Sequence, residues 1–75
     1  MDKNKTILIR DDYITLGQLL KLAHIIRSGG EEKAFLAMHD IDVNGEKEIR
    51  RGRKIRPNDT VKVDGQSYVV CSSNE

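Results

Sequence analysis

The chain has 75 residues, of which 13 are Lys or Arg and 12 are Asp or Glu, so its net charge is close to zero at +1. This length predicts one domain, spanning residues 1–75, with a thin core, because a chain so short buries only about 60% of the surface that it exposes when unfolded. The single cysteine excludes an internal disulfide and is typical of a reducing compartment. The sequence has neither a secretory signal pattern nor an apolar run near the ~20 residues of a membrane helix, so we expect a cytoplasmic protein that makes no membrane contact.

The charge is unevenly distributed along the chain. Residues 1–46 carry six basic and eight acidic side chains, residues 47–62 carry seven basic and two acidic ones, and residues 63–75 carry two acidic ones only. Most of this positive charge lies in residues 43–57, VNGEKEIRRGRKIRP. Such a cluster repels itself unless an anion neutralises it, and phosphate is the commonest such anion. The segment therefore predicts a defined anionic contact, with an ordinary solvated loop as the alternative.

A strand and a helix are predicted first along the chain. Residues 6–9, TILI, are rich in β-branched side chains and predict a short strand. Thr15 and Gln18 have the spacing of a capping box, which predicts that a helix begins there. Apolar residues then recur at helical spacing as far as Ile26. Gly17 is unfavourable inside a helix, which indicates that another group approaches the backbone closely at this position.

A second helix is predicted after the run RSGG at residues 27–30. Ser28 and Glu31 repeat the capping-box spacing, and the helix is expected to extend to about His39 with Phe35 and Met38 in the core. The glycines leave the first backbone N–H groups uncovered, and such a helix start favours phosphate binding.

The remainder of the chain predicts short strands joined by turns. The pairs NG at 44–45 and DG at 64–65 are strong hairpin signals, and RPND at 56–59 predicts a β-turn. The polar ends, residues 1–4 and 72–75, are expected to be poorly ordered. The pattern predicts an α+β fold in which two short helices pack on a small, bent antiparallel sheet.

No catalytic or metal-binding pattern is present in the sequence. His24, His39 and Cys71 are the candidate soft ligands, and their spacing matches no zinc site or nucleophile motif. His24 is expected to pack within the first helix, His39 to complement the dipole of the second, and Cys71 to be a small packed residue. We therefore expect neither catalysis nor a metal, a cofactor or a small-molecule substrate.

The order of these features resembles a known RNA-binding family. The resemblance is carried by residues 14–22 (ITLGQLLKL), 28–30 (SGG), 43–45 (VNG), 50–54 (RRGRK) and 56–59 (RPND). This arrangement is similar to the domain first seen in the small-subunit ribosomal protein "S-four", the alpha-L motif, and in particular to a stand-alone bacterial subfamily of it. The family-like core covers residues 14–65. The resemblance implies non-catalytic binding to structured RNA, often ribosomal or transfer RNA.

The resemblance also implies which residues face the RNA. In that family, they lie in the first turns of both helices and in the hairpin and loop that follow. Carried over to this chain, the positions are Thr15, Gln18, Arg27, Ser28, Gly29, Gly30, Lys33, Asn44, Lys47, Arg50, Arg51, Arg53 and Lys54. Many members carry more basic residues on the two helices than this chain does, so the loop is expected to contribute most, with Arg51 and Arg53 as the foremost phosphate contacts.

The residues support the same function independently of the resemblance. Arginine forms paired hydrogen bonds with phosphate, and the three aromatic residues are too few to form the stacking set of a single-strand binder. We therefore expect recognition of folded RNA by its backbone and shape, possible partners being ribosomal RNA or the ribosome. Four neutralised phosphates would give a slope of log K against log salt of about −3 to −4. The alternative is a protein-interaction module whose basic loop docks on an acidic protein. Release of the protein from RNA-containing fractions by RNase treatment would distinguish RNA binding from this alternative.

Overall fold

The computed structural model describes residues 4–73, which form two helices and seven strands. The strands are β1 (Lys5–Ile9), β2 (Ile14–Thr15), β3 (Ile41–Val43), β4 (Glu46–Lys47), β5 (Lys54–Ile55), β6 (Thr60–Val63) and β7 (Gln66–Ser72). The helices are α1 (Leu16–Leu22) and α2 (Glu32–Met38), and a 3-10 turn (Gly29–Glu31) leads into α2. The predicted α+β class is confirmed.

The strands form two sheets of different sizes. The larger has the order β1-β7-β6-β3-β4, and the smaller pairs β2 with β5. All pairs are antiparallel except β1 and β7, which run parallel from Lys5 opposite Tyr68 to Ile9 opposite Ser72. The predicted all-antiparallel sheet is thus wrong at this edge. A parallel pair needs a long crossover, and the segment between β1 and β7 provides it, so no local turn signal could mark this pairing.

Helix α1 begins as the sequence predicts and ends earlier. The Thr15 hydroxyl accepts from the Gln18 N–H at 3.2 Å, and the Gln18 Oε1 accepts from the Thr15 N–H at 2.9 Å. The helix ends at Leu22, not near Ile26. His24, at φ 61°, donates its N–H to the Lys21 carbonyl at 3.0 Å, and the Ile25 N–H reaches the Leu20 carbonyl at 2.9 Å. These two bonds form a Schellman motif.

The Schellman motif corrects the expectation for His24. This residue occupies the left-handed position just past the helix and is exposed, so the prediction that it packs within the helix is wrong. Ile26 is nevertheless buried, because the turn brings it back over the core. The apolar periodicity therefore identified a core position without identifying the end of the helix.

The start of α2 differs from the prediction. The Ser28 side chain makes no capping hydrogen bond, and a 3-10 turn closed by the Glu31 N–H and the Ser28 carbonyl at 3.2 Å precedes the helix. Leu36 is the buried residue of α2, whereas Met38 is 80% exposed, so the expected core position of Met38 is wrong. His39 caps the end of α2, where its ring stacks on Phe35 with the centroids 3.9 Å apart.

The core is formed by side chains of α1, α2 and strands of both sheets. Its fully buried side chains are Leu16, Leu19, Leu20, Leu36, Ile41, Val43, Ile55, Val61 and Val70. Strands β3 and β6 bury alternate residues, as expected for a sheet covered on one face.

Both predicted hairpin turns and the proline turn are confirmed. Asn44 and Gly45 have φ values of 52° and 88°, and Asp64 and Gly65 have φ values of 48° and 93°, so each pair has the two positive φ angles of a type I′ turn. In the turn at 56–59, the Asp59 N–H donates to the Arg56 carbonyl at 3.0 Å.

The chain ends were expected to be poorly ordered. Ser72 belongs to β7, and the Ser73 N–H donates to the Ile9 carbonyl at 2.8 Å, so the prediction is wrong for these two residues. Residues 1–3 and 74–75 lie outside the described residues.

Candidate nucleic-acid interface

A buried carboxylate organises the basic segment, which we define as residues 47–56. Glu48 is only 6% exposed, and its side chain accepts five hydrogen bonds. Oε2 accepts from the backbone N–H groups of Ile49 and Arg50 and from Arg50 Nε, at 3.0–3.1 Å. Oε1 accepts from Arg50 Nη2 at 3.0 Å and from Arg53 Nη1 at 2.9 Å. The segment is therefore folded around an anion supplied by the protein itself.

The two arginines determine the charge state of Glu48. The side-chain hydrogen bonds from Arg50 are the largest cause that lowers the pKa of this carboxyl far below its ordinary value, and Arg53 adds to the effect. Burial acts in the opposite direction and is outweighed. Glu48 remains ionised near neutral pH, and it offsets part of the positive charge of Arg50 and Arg53.

The backbone of the basic segment is fixed against the start of α1. The Leu16 N–H donates to the Arg53 carbonyl at 2.8 Å, and the Gly17 N–H donates to the Arg51 carbonyl at 3.0 Å. Next to these bonds, Thr15 of β2 pairs with Lys54 of β5. Together with the cap from Thr15, these bonds use the first N–H groups of α1, so this helix start cannot offer them to an anion.

Gly17 allows α2 to approach the same place. A Cβ atom at Gly17 would clash with the carboxylate of Glu32, which confirms the expected close approach to this backbone. The Glu32 carboxylate also pairs with Lys21 at 3.5 Å and lies 3.8 Å from the Cβ position of Gly29. Contacts thus run from Gly29 through Glu32 and Gly17 to the backbone of Arg51. Gly29 and the backbone of the basic segment therefore lie close together, with the Glu32 carboxylate between them.

Three cations of the basic segment remain available at the surface. Arg51 is exposed, and its side chain has no hydrogen bond or ion pair among residues 4–73. Lys54 Nζ and Arg56 Cζ lie over the Tyr13 ring, 5.0 and 6.0 Å from its centroid. An open groove runs along this surface and is lined by Arg50, Gly52, Arg53, Lys54, Arg56 and Asp59. The groove is rich in guanidinium and ammonium groups, which suits it to bind phosphate.

The remaining predicted positions lie outside the residues that line this groove. Thr15 and Gln18 hold each other in the capping box, while Arg27, Ser28 and Lys33 are exposed on the helical side. Gly29 and Gly30 lie in the 3-10 turn before α2.

Asn44 and Lys47 also have partners within the protein. The Asn44 amide donates to Asp59 Oδ1 at 3.0 Å and accepts from the Thr60 N–H at 2.9 Å, so this side chain fastens one turn to another. Lys47 lies 3.4 Å from Asp40 in an exposed ion pair.

The sequence interpretation missed three contributors to this surface. Glu48 was counted only as a charge, although a carboxylate two residues before Arg50 and five before Arg53 was a visible signal. Arg56 was assigned to a turn and Tyr13 to no role, because the pairing of β2 with β5 that brings these residues together is not local.

The candidate metal ligands lie apart from one another. His24 follows α1, Cys71 is half-buried on β7, and His39 Nδ1 lies 2.6 Å from Asp64 Oδ2. The His39 hydrogen bond is the main cause that lowers the pKa of Asp64. Among residues 4–73, no group of three or more His, Cys, Asp or Glu side chains is arranged to hold a metal ion. Within the same range, the helices are too short or too polar to span a membrane.

Comparison with known proteins gives two matches. The sequence profile of the S4 domain matches residues 7–71. A protein of Bacillus subtilis (strain 168), described as "Probable ribosome maturation protein RlbA", is 51% identical over 59 residues, which is 79% of this chain and 83% of that protein. The similarity therefore includes both helices, the basic segment and most of the larger sheet.

Proposed function

The chain belongs to the S4 domain family, and from this premise we propose that it is a non-catalytic protein that binds structured RNA, ribosomal or transfer RNA, by phosphate and shape contacts. We further propose that it acts in ribosome assembly in the bacterial cytoplasm, as the name of its Bacillus subtilis relative suggests for that protein. The observation that carries the proposal is the groove lined by Lys54 and Arg56, which belongs to a segment shaped by Glu48. Arg51 of the same segment is exposed beside the residues that line the groove.

We expect fewer phosphate contacts than there are Lys and Arg residues in the basic segment. Arg50 and Arg53 share the Glu48 carboxylate, and Lys47 pairs with Asp40. About three cations then remain to neutralise phosphates, which gives a slope of log K against log salt of about −2 to −3. A slope much closer to zero would contradict phosphate binding by this groove.

Arg51 is the residue on which the proposal is best tested. Arg51→Glu replaces an exposed cation without an internal partner, so we expect the fold to be retained and the affinity for ribosomal RNA to fall by about tenfold or more. Arg53→Glu is a poorer test, because the new carboxylate would face Glu48 and destabilise the segment. Binding is measured by filter retention or fluorescence anisotropy, and the fold by circular dichroism.

Lys5→Glu provides a control that is matched in charge. Lys5 is exposed on β1, at the opposite edge of the larger sheet from β4, and its reversal changes the net charge equally. If both reversals weaken RNA binding to the same extent, the effect comes from overall charge and the basic segment is not the interface. An unchanged affinity of a folded Arg51→Glu variant would also refute the proposal.

RNase treatment separates RNA binding from docking on an acidic protein. Both interactions weaken with salt, but only an RNA-held protein leaves ribosomal fractions when their RNA is digested. We expect release after complete digestion. Persistence of the protein on the digested particle would favour a protein partner for the same groove.

A further inference from the structure

Tyr13 is an exposed aromatic ring within a basic surface. The chain has two Tyr, one Phe and no Trp. Tyr68 is buried in the core, and Phe35 is half-buried and stacked on His39, whereas Tyr13 is 40% exposed. Tyr13 is therefore the one exposed ring among the Phe and Tyr residues, and it lies outside the positions that the family resemblance marks as RNA-facing.

Cations accompany this ring for a structural reason. The antiparallel pairing of β2 with β5 sets Ile14 opposite Ile55, and its continuation brings Tyr13 alongside Arg56. Lys54 Nζ lies 5.0 Å and Arg56 Cζ 6.0 Å from the ring centroid. Both cations also line the groove assigned above to phosphate. An aromatic surface next to two phosphate-binding cations has the two parts that a single nucleotide needs, a surface for the base and charge for its phosphate.

The polar groups beside the ring indicate which base would fit. A cleft next to Tyr13 is lined by Asp11, Asp12, Tyr13, Thr15 and Gln18. The Asp11 and Asp12 carboxylates are exposed and make no side-chain hydrogen bond or ion pair within residues 4–73. Carboxylates only accept hydrogen bonds, and the Watson–Crick edge of guanine presents two adjacent donors, N1–H and N2–H, to a single carboxylate. The other bases present at most one such donor group beside an acceptor, so a carboxylate fits their edges less well.

We propose that Tyr13 stacks an unpaired guanine of the bound RNA, with Lys54 and Arg56 at its phosphate and the Asp11–Asp12 pair at its Watson–Crick edge. The proposal rests on the proposed RNA-binding function and adds a base-reading subsite to it. A bulged or loop nucleotide is the natural source, because a base within a duplex cannot offer its face or this edge.

The test compares two RNAs that differ by one nucleotide. One is a perfect hairpin duplex, and the other is the same hairpin with a single bulged guanine. We expect the wild-type protein to bind the bulged RNA about tenfold more tightly, within the range of a single base–aromatic stack. Tyr13→Leu keeps an apolar side chain but removes the ring, so the ratio of the two affinities should fall to about one. Tyr13→Phe keeps the ring and should restore the ratio, whereas a hydrogen-bonding or purely structural role of Tyr13 would not give this rescue.

Two further measurements test whether guanine is the preferred base and whether Tyr13 contacts the RNA. Uracil can still stack but presents one donor in place of two, so replacing the bulged guanine by uracil should reduce the preference only in part. Asp11→Asn with Asp12→Asn should make the two bulges equivalent. Because the chain has no Trp, the difference in tyrosine emission between wild type and Tyr13→Phe reports Tyr13, and we expect quenching by the bulged RNA only.

The outcomes separate this inference from the function on which it rests. Equal wild-type affinity for both RNAs, together with weaker binding by Arg51→Glu, would overturn the base subsite and leave the phosphate groove in place. Binding to neither RNA would overturn both. A preference for the bulge that survives Tyr13→Leu would assign the selectivity to another part of the surface and refute the role of this ring.

Discussion

Replacing Glu48 with glutamine should loosen the basic segment and destabilise the whole domain. The substitution keeps the size of the side chain and removes its charge. If the amide oxygen takes the place of Oε2, it retains three hydrogen bonds, and the amide nitrogen then points its own donors at Arg50 and Arg53. The opposite orientation of the amide loses three hydrogen bonds instead of two. We therefore expect the amide oxygen to take the place of Oε2.

The magnitude follows from the exposure of the two arginines. A hydrogen bond to a charged group contributes about 1.5–3 kcal/mol when shielded, and an exposed ion pair contributes at most about 1 kcal/mol. The side chain of Arg53 is 31% exposed and that of Arg50 is 71% exposed. We therefore assign about 1.5 kcal/mol to the hydrogen bond from Arg53 and less than about 1 kcal/mol to the one from Arg50. The expected loss is about 2 kcal/mol, which for a domain of this size corresponds to a fall in Tm of roughly 8–16 °C.

Thermal and urea unfolding, followed by circular dichroism at neutral pH, measure this loss. Glu46→Gln is the matched control, because Glu46 is exposed on β4 and makes no side-chain hydrogen bond or ion pair among residues 4–73. Its stability should stay within about 0.5 kcal/mol of wild type. The reasoning about the Glu48 cluster would be refuted if both variants unfolded at the same temperature.

Two further predictions concern acid and the end of α1. Because the folded state lowers the pKa of Glu48 from its ordinary value of 4.5, its contribution is complete above about pH 4.5 and is lost as the pH falls below it. Unfolding midpoints measured from pH 6 to pH 2.5 should therefore fall less steeply for Glu48→Gln than for wild type, with Asp64 contributing part of the slope that remains; parallel curves would contradict this. His24→Gly should raise the free energy of unfolding by about 0.5–1 kcal/mol, because glycine adopts the φ of 61° without a Cβ penalty. His24→Ala keeps the Cβ atom and should give no gain in urea midpoint, so equal stabilisation by both variants would exclude backbone strain as the cause.

The sequence predicts the features that depend on neighbouring residues. The capping box at Thr15 and Gln18 and the turns at Asn44 and Asp64 act within four residues, so their residue types suffice to identify them. The α+β class follows, because it depends on the succession of such local elements. The same limit explains the error at His24, where the choice between continuing and ending α1 depends on how Ile25 and Ile26 pack.

The missed features depend on segments that are distant in sequence or on competition between charges. Nothing local to residues 5–9 indicates a parallel partner in β7. At the candidate site, the clustering of cations was visible, but the count treated Arg50, Arg51 and Arg53 as equivalent. Only the burial of Glu48 shows that two of them have an internal partner while Arg51 does not.

The parallel pairing of β1 with β7 has a consequence for synthesis of the chain. β1 is translated well before its hydrogen-bonding partner, which extends from Gln66 to Ser72. Until that strand emerges from the ribosome, β1 has no neighbour in the sheet, and closing so long a loop slows the final step of folding. The nascent chain can therefore form the α1 cap and the β3–β4 hairpin early, but it completes the larger sheet only after β7 has been synthesised.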